Sequence, residues 1–496
     1  MARVRVVVVG AGISGLTAAL TLQAAGYAVT VCDRQRVPGG HLLEANADGT
    51  RVDAGESVIT MRWVWDEFFQ SIGEKTETHL SLSRVLRLGR YVWADGSMLD
   101  LDFDVETTTL AIERFAGSRE ARAYRAFARY AAEVYRIAEE TLLRMPAPSA
   151  RQLLLRGLRE GWGPFTRVSA HRSLTSTVAS FFDDPRLRQL FGYYAAHVGL
   201  PPGNASGTLS MLAHLDRDAA YRTTTDMKTL AWSLERVATR MGVTFLYGEA
   251  ATQIAVEGAH VEGVSTSKRY LEAKAVVFAG ELSSITGGEL GDAVANAVGR
   301  HTPSQKQRTF SSITSAGVAR LHGKRLPWRT VFFAEDAANE WECLARGRMP
   351  ESSTLTLTLH DRASEGDRAS DGASERAVLS ALAPAVGASL GPAELADHEW
   401  EEKVGARLLR HGITLSWKSR ETKTPRDYAH AFPGSDGSLF GPAGGGPLAA
   451  FRLRGARTDV RGLSLAARGV HPGPSLSFAC LRGKRAAEDV IASLPR

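Results

Sequence analysis

The first forty residues constrain this chain more than any other stretch. Residues 4–9 are nearly all valine and read as a buried parallel strand. They run into Gly10-Ala11-Gly12-Ile13-Ser14-Gly15, after which an Ala- and Leu-rich helix is predicted over 16–25, ended by Gly26. Residues 27–33 read as a second strand with Asp33 at its tip. Gly10 permits a tight turn, Gly12 lets the backbone approach a pyrophosphate, and Gly15 lets helix and strand pack closely. The free N–H groups and partial positive charge of the helix N-terminus suit phosphates. Asp33 follows Gly15 by 18 residues, near the spacing of about 20 expected of a ribose-binding acid. Because strand, turn, helix, second strand and acid agree, the segment reads as a dinucleotide-binding unit rather than a structural glycine turn.

A chain of 496 residues can form one large core or two to three domains of ordinary size. Its 44% hydrophobic and 23% charged residues are those of a soluble globular protein. The net charge of +6 suits an anionic membrane surface or an acidic ligand, and equally a plain solvated basic face. No basic run argues for nucleic acid. The three cysteines, Cys32, Cys343 and Cys480, are odd in number and widely spaced, so neither a disulfide framework nor a zinc site is indicated. A reducing, cytoplasmic compartment is expected. No run reaches the roughly 18 apolar residues of a membrane span, and residues 6–9 are too short for a signal-peptide core.

Further along, residues 62–145 read as helical, with Trp63, Trp65, Phe68 and Phe69 as core anchors. Residues 142–172 mix Leu153, Leu154, Leu155, Leu158, Trp162 and Phe165 with six arginines and the single acid Glu160. That is the composition of an amphipathic segment in a membrane interface, and also of a surface helix with a basic face. Asp183 or Asp184 is expected to cap a helix opened by Pro185. Residues 243–247 and 273–279 read as strands returning to the cofactor sheet. Residues 362–376 are polar and of low complexity, which predicts a mobile surface loop. At the end of the chain, residues 463–467 read as a strand and 478–494 as a helix. The loop between them carries His471-Pro472-Gly473. A helix N-terminus there can face the pyrimidine edge of a flavin and stabilise negative charge on it.

Several stretches resemble the FAD-dependent carotenoid desaturases of bacteria, in particular the 1-hydroxycarotenoid 3,4-desaturase (methoxyneurosporene dehydrogenase) group. Gly39-Gly40-His41 stands where amine oxidases and carotenoid desaturases carry Gly-Gly-(Arg/Lys), and Asp53-Ala54-Gly55 resembles the following D-x-G turn. The likeness continues through Ile59-Thr60-Met61-Arg62, Asp183-Asp184-Pro185-Arg186-Leu187-Arg188, residues 331–350 and Phe432-Pro433-Gly434-Ser435-Asp436-Gly437. It implies a glutathione-reductase-like, Rossmann-type FAD-binding α/β domain with an inserted mixed α+β substrate domain and a helical membrane-facing region. The segments expected are 1–75, 226–290 and 456–496 for FAD, 76–225 for the helical region and 291–455 for the substrate domain. The resemblance also implies that FAD is held by Gly10, Gly12, Ile13, Ser14, Gly15, Asp33, Gly40, His41, Ala251, Arg468, Gly469, Ser475 and Leu476.

The implied activity is desaturation of an acyclic hydroxy- or methoxycarotenoid drawn from the lipid bilayer. Residues 142–172 would touch the membrane surface, and the protein would lie peripherally on the inner membrane. Conjugation with the polyene would stabilise a developing cation, so no protein base is assigned. The family pattern is broken at His41, at Thr225-Asp226 before Met227, at Arg468 and at Ser475. Arg468 in particular is a long cation beside the expected flavin, able to raise its potential or to fill its space. Two alternatives follow: another flavin oxidoreductase with a lipid or amine substrate, and a flavin-inert relative that binds a carotenoid or a partner protein.

Overall fold

The computed structural model of the protein describes residues 3–145, 169, 171–223, 225–299, 308–362, 373–385, 397–441, 445–446 and 453–494. Five parallel strands form the first sheet, in the order Leu463–Leu465, Ala275–Phe278, Arg5–Val9, Ala28–Asp33, Thr244–Tyr247. Arg5–Val9 is central because its valines bury on both faces; Val6, Val7 and Val8 are each at most 2% exposed. Val8 pairs with Val31 on one side and Val277 on the other. The strands expected at 243–247 and 273–279 thus flank this one, and the C-terminal strand adds beyond Ala275–Phe278. Chain order reverses at the central strand, which opens a crevice at the carboxyl ends of the strands.

The first helix, Ile13–Ala24, packs along the C-terminal helix, Leu476–Ser493. Gly483 makes this possible: a Cβ there would lie 2.1 Å from Ser14 O. The two ends of the chain are therefore locked together across the crevice.

A second sheet of seven strands has the order Ile413–Lys423, Ser311–Gly323, Ser374–Ala383, Leu355–Leu359, Arg329–Phe332, Arg87–Val92, Met98–Asp102. Two of these overturn the helical reading of 62–145. Helices do occupy Arg62–Ser71, Val105–Ala116 and Ser118–Ala138, but strands lie at Leu82–Arg84, Arg87–Val92 and Met98–Asp102. The reason is local. Gly96, at φ +83°, turns the chain after Asp95, whose Oδ1 accepts from Ser97 N at 2.9 Å. Leu99 and Leu101 then alternate with half-buried or exposed Met98, Asp100 and Asp102, a period of two. Trp65, Phe68 and Phe69 are fully buried, as a core role requires, and Trp63 packs partly buried against the same cluster.

Asp184 caps Pro185–Gly192, its side chain accepting from Arg186 N at 2.8 Å, while Asp183 pairs with Arg119 and Arg188 instead. The polar stretch at 362–376 is not all loop. Ser374–Ala383 is a strand, and Arg362 and Glu375 form a bidentate ion pair that is 9% and 5% exposed. Paired charges let those polar ends join the sheet; residues 363–372 lie outside the described residues. Of the amphipathic segment 142–172, only 142–145, 169, 171 and 172 are described. Among the described residues no helix is long and apolar enough to cross a membrane.

Candidate active site

The crevice opens into a cavity of about 950 Å³ that runs from the glycine turn to the face of the seven-stranded sheet. At the turn, Gly10 holds φ +107°, and a Cβ there would press on Ala279 O at 3.2 Å. A Cβ on Gly15 would sit 1.8 Å from Gly10 O, so only glycine lets the helix start this close to the strand. The loop at 37–41 crosses over the turn: Gly39 N donates to Ala11 O at 3.0 Å, and Gly12 and Gly40 face each other. A Cβ on Gly40 would meet Gly12 Cα at 3.0 Å. Asp33 accepts from Ala11 N at 2.6 Å and Gln35 N at 2.7 Å, which binds it to the turn while leaving further lone pairs for a ribose. Burial pushes its carboxyl above the usual range, against those two hydrogen bonds.

Charged groups gather where the two termini meet. His41 stacks on Phe432 at 3.6 Å and bonds Glu281 Oε1 at 2.9 Å. Burial, then the nearby Arg468, pushes the His41 imidazole down to about 4, so the ring is neutral and donates to the carboxylate. Burial pushes the Glu281 carboxyl up, but the His41 hydrogen bond and the Arg468 and Arg482 charges overcome it and hold it low. Arg468 Nε lies 3.5 Å from Glu281 Oε1, and its guanidinium donates to Leu439 O. The arginine is thereby drawn onto the wall by two fixed acceptors. Arg482, on the C-terminal helix, reaches Gly473 O and Ser14 Oγ, and its buried Nε has no partner among the described residues. Burial and the Arg468 charge push it down to about 9, as expected of a cation short of an anion.

The C-terminal helix begins at Leu476, two residues earlier than the sequence suggests. Its leading donor, Leu476 N, is bonded by Glu56 Oε2 at 2.9 Å, and burial pushes that carboxyl up. Ser475 sits in extended backbone, φ 162°, where any residue fits, and its side chain accepts from Phe478 N at 3.2 Å. The glycine-to-serine departure is therefore accommodated as a helix cap.

Of the residues expected to hold the cofactor, Gly10, Gly12, Ile13, Ser14, Asp33, Gly40, His41, Ala251, Arg468, Ser475 and Leu476 line this one cavity. Gly15 and Gly469 do not: Gly15 is a packing residue, and Gly469 turns the chain at φ +96° behind Arg468. Arg482, Glu281 and Glu56 join the site without having been singled out, and Phe432, named only within a stretch of family likeness, joins it too. Glu281 follows the Ala275–Phe278 strand at the crevice, a position where an acid is informative. Arg482 is one of three cations, with Lys484 and Arg485, in the middle of the C-terminal helix, and nothing in the local sequence marks it as the one that faces the turn.

The arrangement fits a dinucleotide flavin. A diphosphate would find the N–H groups that open the first helix, Ser14 and the unsatisfied Arg482, and the Gly12–Gly40 gap has no side chain in it. Beyond, the walls turn apolar through Leu142, Leu143, Leu209, Met211, Leu212 and Leu215.

Comparison with known proteins agrees. A flavin containing amine oxidoreductase family model matches residues 13–491. A hydroxyneurosporene desaturase of Cereibacter sphaeroides is 35% identical, covering 99% of this chain and 98% of the relative. One from Rubrivivax gelatinosus is 34% identical, over 99% and 94%. A phytoene dehydrogenase of Streptomyces griseus is 30% identical, over 99% and 96%. Among solved structures, putrescine oxidase bound to putrescine superposes with a TM-score of 0.60 at 15% identity, covering 99% of each chain. Cyclohexylamine oxidase from Brevibacterium oxydans gives 0.55 at 16% identity, over 99% and 98%. The oxidases share the fold, the desaturases share sequence along the whole length, and FAD is the cofactor. The chain belongs to the flavin containing amine oxidoreductase family and, within it, to the carotenoid desaturases.

Proposed function

We propose that this protein is an FAD-dependent desaturase that converts a C–C single bond of an acyclic hydroxy- or methoxycarotenoid to a double bond. The observation that carries the reading is the single cavity joining the dinucleotide turn to a wall of leucines and methionine. A polyene needs such an apolar channel; an amine would need a polar cage around its nitrogen. Bound FAD would supply the acceptor for the hydride that leaves the substrate carbon, and the matching proton, lost from the carbon next to the polyene-stabilised cation, would pass to solvent. The protein's share is position and charge. Gly12, Gly40, Ser14 and Arg482 fix the diphosphate, and Asp33 fixes the ribose. Glu281, itself held by His41, and Leu439 O hold Arg468 on the wall, and the leucine-lined walls exclude water from the reacting bond. The thirteen residues named from the sequence are assigned to the FAD site in this reading, Gly15 and Gly469 acting through the shape of the turns.

The finer layout belongs to the same proposal. Segments 1–75, 226–290 and 456–496 form the cofactor domain, 76–225 a largely helical membrane-facing region and 291–455 the inserted substrate domain. The carotenoid is drawn from the bilayer by an inner-membrane surface contact through 142–172. Its support is the basic, leucine-rich composition there and a substrate that dissolves in lipid.

Purified protein should show oxidised-flavin bands near one FAD per chain and turn 1-hydroxyneurosporene in membranes into a product with a longer chromophore. Flavin-loaded protein that leaves every acyclic hydroxycarotenoid unchanged would defeat the substrate assignment; protein that cannot be loaded with flavin would defeat the redox reading.

A further inference from the structure

Away from the cofactor cluster, the cavity holds an ion pair that the chemistry above does not use. Arg329 Nη2 donates to Asp216 Oδ2 at 2.8 Å, and both side chains are nearly covered, at 13% and 14% exposed. Arg329 Nε is spent on Leu88 O at 2.8 Å. Tyr194 Oη donates to the same Asp216 oxygen at 3.4 Å. The other carboxylate oxygen, Oδ1, accepts no hydrogen bond from a described residue, although Asp216 lines the cavity. His197 stands beside Tyr194, ring centroids 5.7 Å apart, and feels the Asp216 charge. The chain encloses His197, yet its side chain remains exposed, because it faces the cavity. Burial pushes its imidazole down, so the ring is neutral at pH 7 and offers one donor and one acceptor.

Leu209, Met211, Leu212 and Leu215 line the same cavity, and Leu209 and Leu212 pack against the cluster that holds Tyr194. Among the hydroxyls on the sheet face, Ser312 and Thr314 satisfy each other at 2.7 Å. Asp216 Oδ1 is open to the cavity and free to accept from a ligand that enters it.

We infer that Asp216, Arg329, Tyr194 and His197 form the binding site for a hydroxyl group on the polyene, Asp216 Oδ1 accepting from its O–H and His197 donating to its oxygen. Arg329 fixes the carboxylate in place and Tyr194 braces it. The inference rests on the carotenoid reading of the cavity and adds how a hydroxylated chain is told from a plain one. An apolar pocket alone discriminates such a pair weakly, whereas a site with polar groups left unpaired by the wrong ligand rejects it strongly.

The test compares 1-hydroxyneurosporene with 1,2-dihydroneurosporene, the same skeleton lacking the hydroxyl, using flavin-loaded full-length protein. Both kcat/KM and affinity, the latter from quenching of tryptophan fluorescence, are measured. The wild type is expected to favour the hydroxylated chain by about a hundredfold or more. His197→Phe should narrow that ratio about tenfold, the worth of one good hydrogen bond. Asp216→Leu combined with Arg329→Met, which removes both charges at once, should bring the ratio near one. Unfolding temperature and flavin spectrum report whether this variant folds; if it does not, His197→Phe and Tyr194→Phe, which leave the ion pair in place, carry the test. A wild type that favours neither chain, or folded variants whose ratio stays within threefold of wild type, overturns the inference. A wild type that binds both chains with the expected preference but desaturates neither overturns the desaturase reading and leaves the hydroxyl site standing.

Discussion

At one end of the cavity the strand, turn, helix, second strand and acid come from a single continuous segment, residues 4–41. At the other end the walls come from Leu142 and Leu143, Tyr193–Val198, Met211–Asp218 and the face of the seven-stranded sheet, parts hundreds of residues apart. The first end is set by backbone: a left-handed φ at Gly10, a forbidden Cβ at Gly15, a narrow Gly12–Gly40 approach. The second is set by shape and apolarity, which many residues supply equally well, and by a single ion pair. Substitutions at the first end should therefore remove the cofactor, and substitutions at the second should alter substrate use and spare it.

The largest effect is expected from Gly15→Ala. Its Cβ would strike backbone at 1.8 Å, so strand and helix must separate. The variant should purify without flavin, judged by its visible spectrum, while Gly405→Ala, with open space around it, should be indistinguishable from wild type. A flavin-loaded Gly15→Ala would break the contrast at its firmer end.

Acid comes next. His41, His360 and His471 are each pushed down to about 4, by burial first and then by a neighbouring arginine. The unfolded chain takes up these protons from about 6.5, before the folded chain does, so stability falls as pH drops from about 6.5 to 4. The loss is on the order of 3 kcal/mol per histidine. Asp53, pushed up to about 6 by burial, acts in the opposite sense below pH 6 and offsets part of it. Urea unfolding at pH 7 and pH 4.5 measures the difference. His471→Gln should make it smaller; an unchanged difference would mean that this ring is solvated.

Leu212→Trp should sharpen the contrast from the other side. It places an indole in the apolar stretch, and kcat/KM for a carotenoid should fall at least about tenfold at an unchanged flavin spectrum. Arg482→Met should be subtler. Removing a buried cation with an unpaired Nε leaves the unfolding temperature of the apoprotein the same or higher. The FAD Kd should rise about tenfold, corresponding to about 1.4 kcal/mol, as measured by flavin fluorescence titration. An unchanged Kd would remove Arg482 from the phosphate site.

The same contrast governs how far the sequence could be read. Residues 4–41 were legible because each geometric demand there admits few residue types, and because the acid lies at a fixed distance from the turn. The strands at 275–278 and 463–465 were legible as short apolar runs. The hairpin at 87–102 was missed although Asp95-Gly96 signals a turn and 98–102 alternates, because long helical patterns on both sides set the reading. Arg362–Glu375 and the sheet edge at 374–376 were missed because polar composition looks the same whether charges are solvated or paired. At the site, Arg468 was recognised as a departure, but its tether to Glu281 and Leu439 depends on residues far away in the chain. Asp216 and Arg329 lie in unrelated segments, and nothing local marks either as one half of a pair.

The central claim is that one cavity brings flavin and polyene together so that two electrons pass between them. Anaerobic mixing of the flavin-loaded protein with one equivalent of 1-hydroxyneurosporene, without an external acceptor, tests it most directly. The oxidised-flavin band should bleach in step with the growth of a longer-wavelength carotenoid spectrum, one flavin for each new double bond. A carotenoid that binds with its own spectrum unchanged while the flavin stays oxidised would contradict the account.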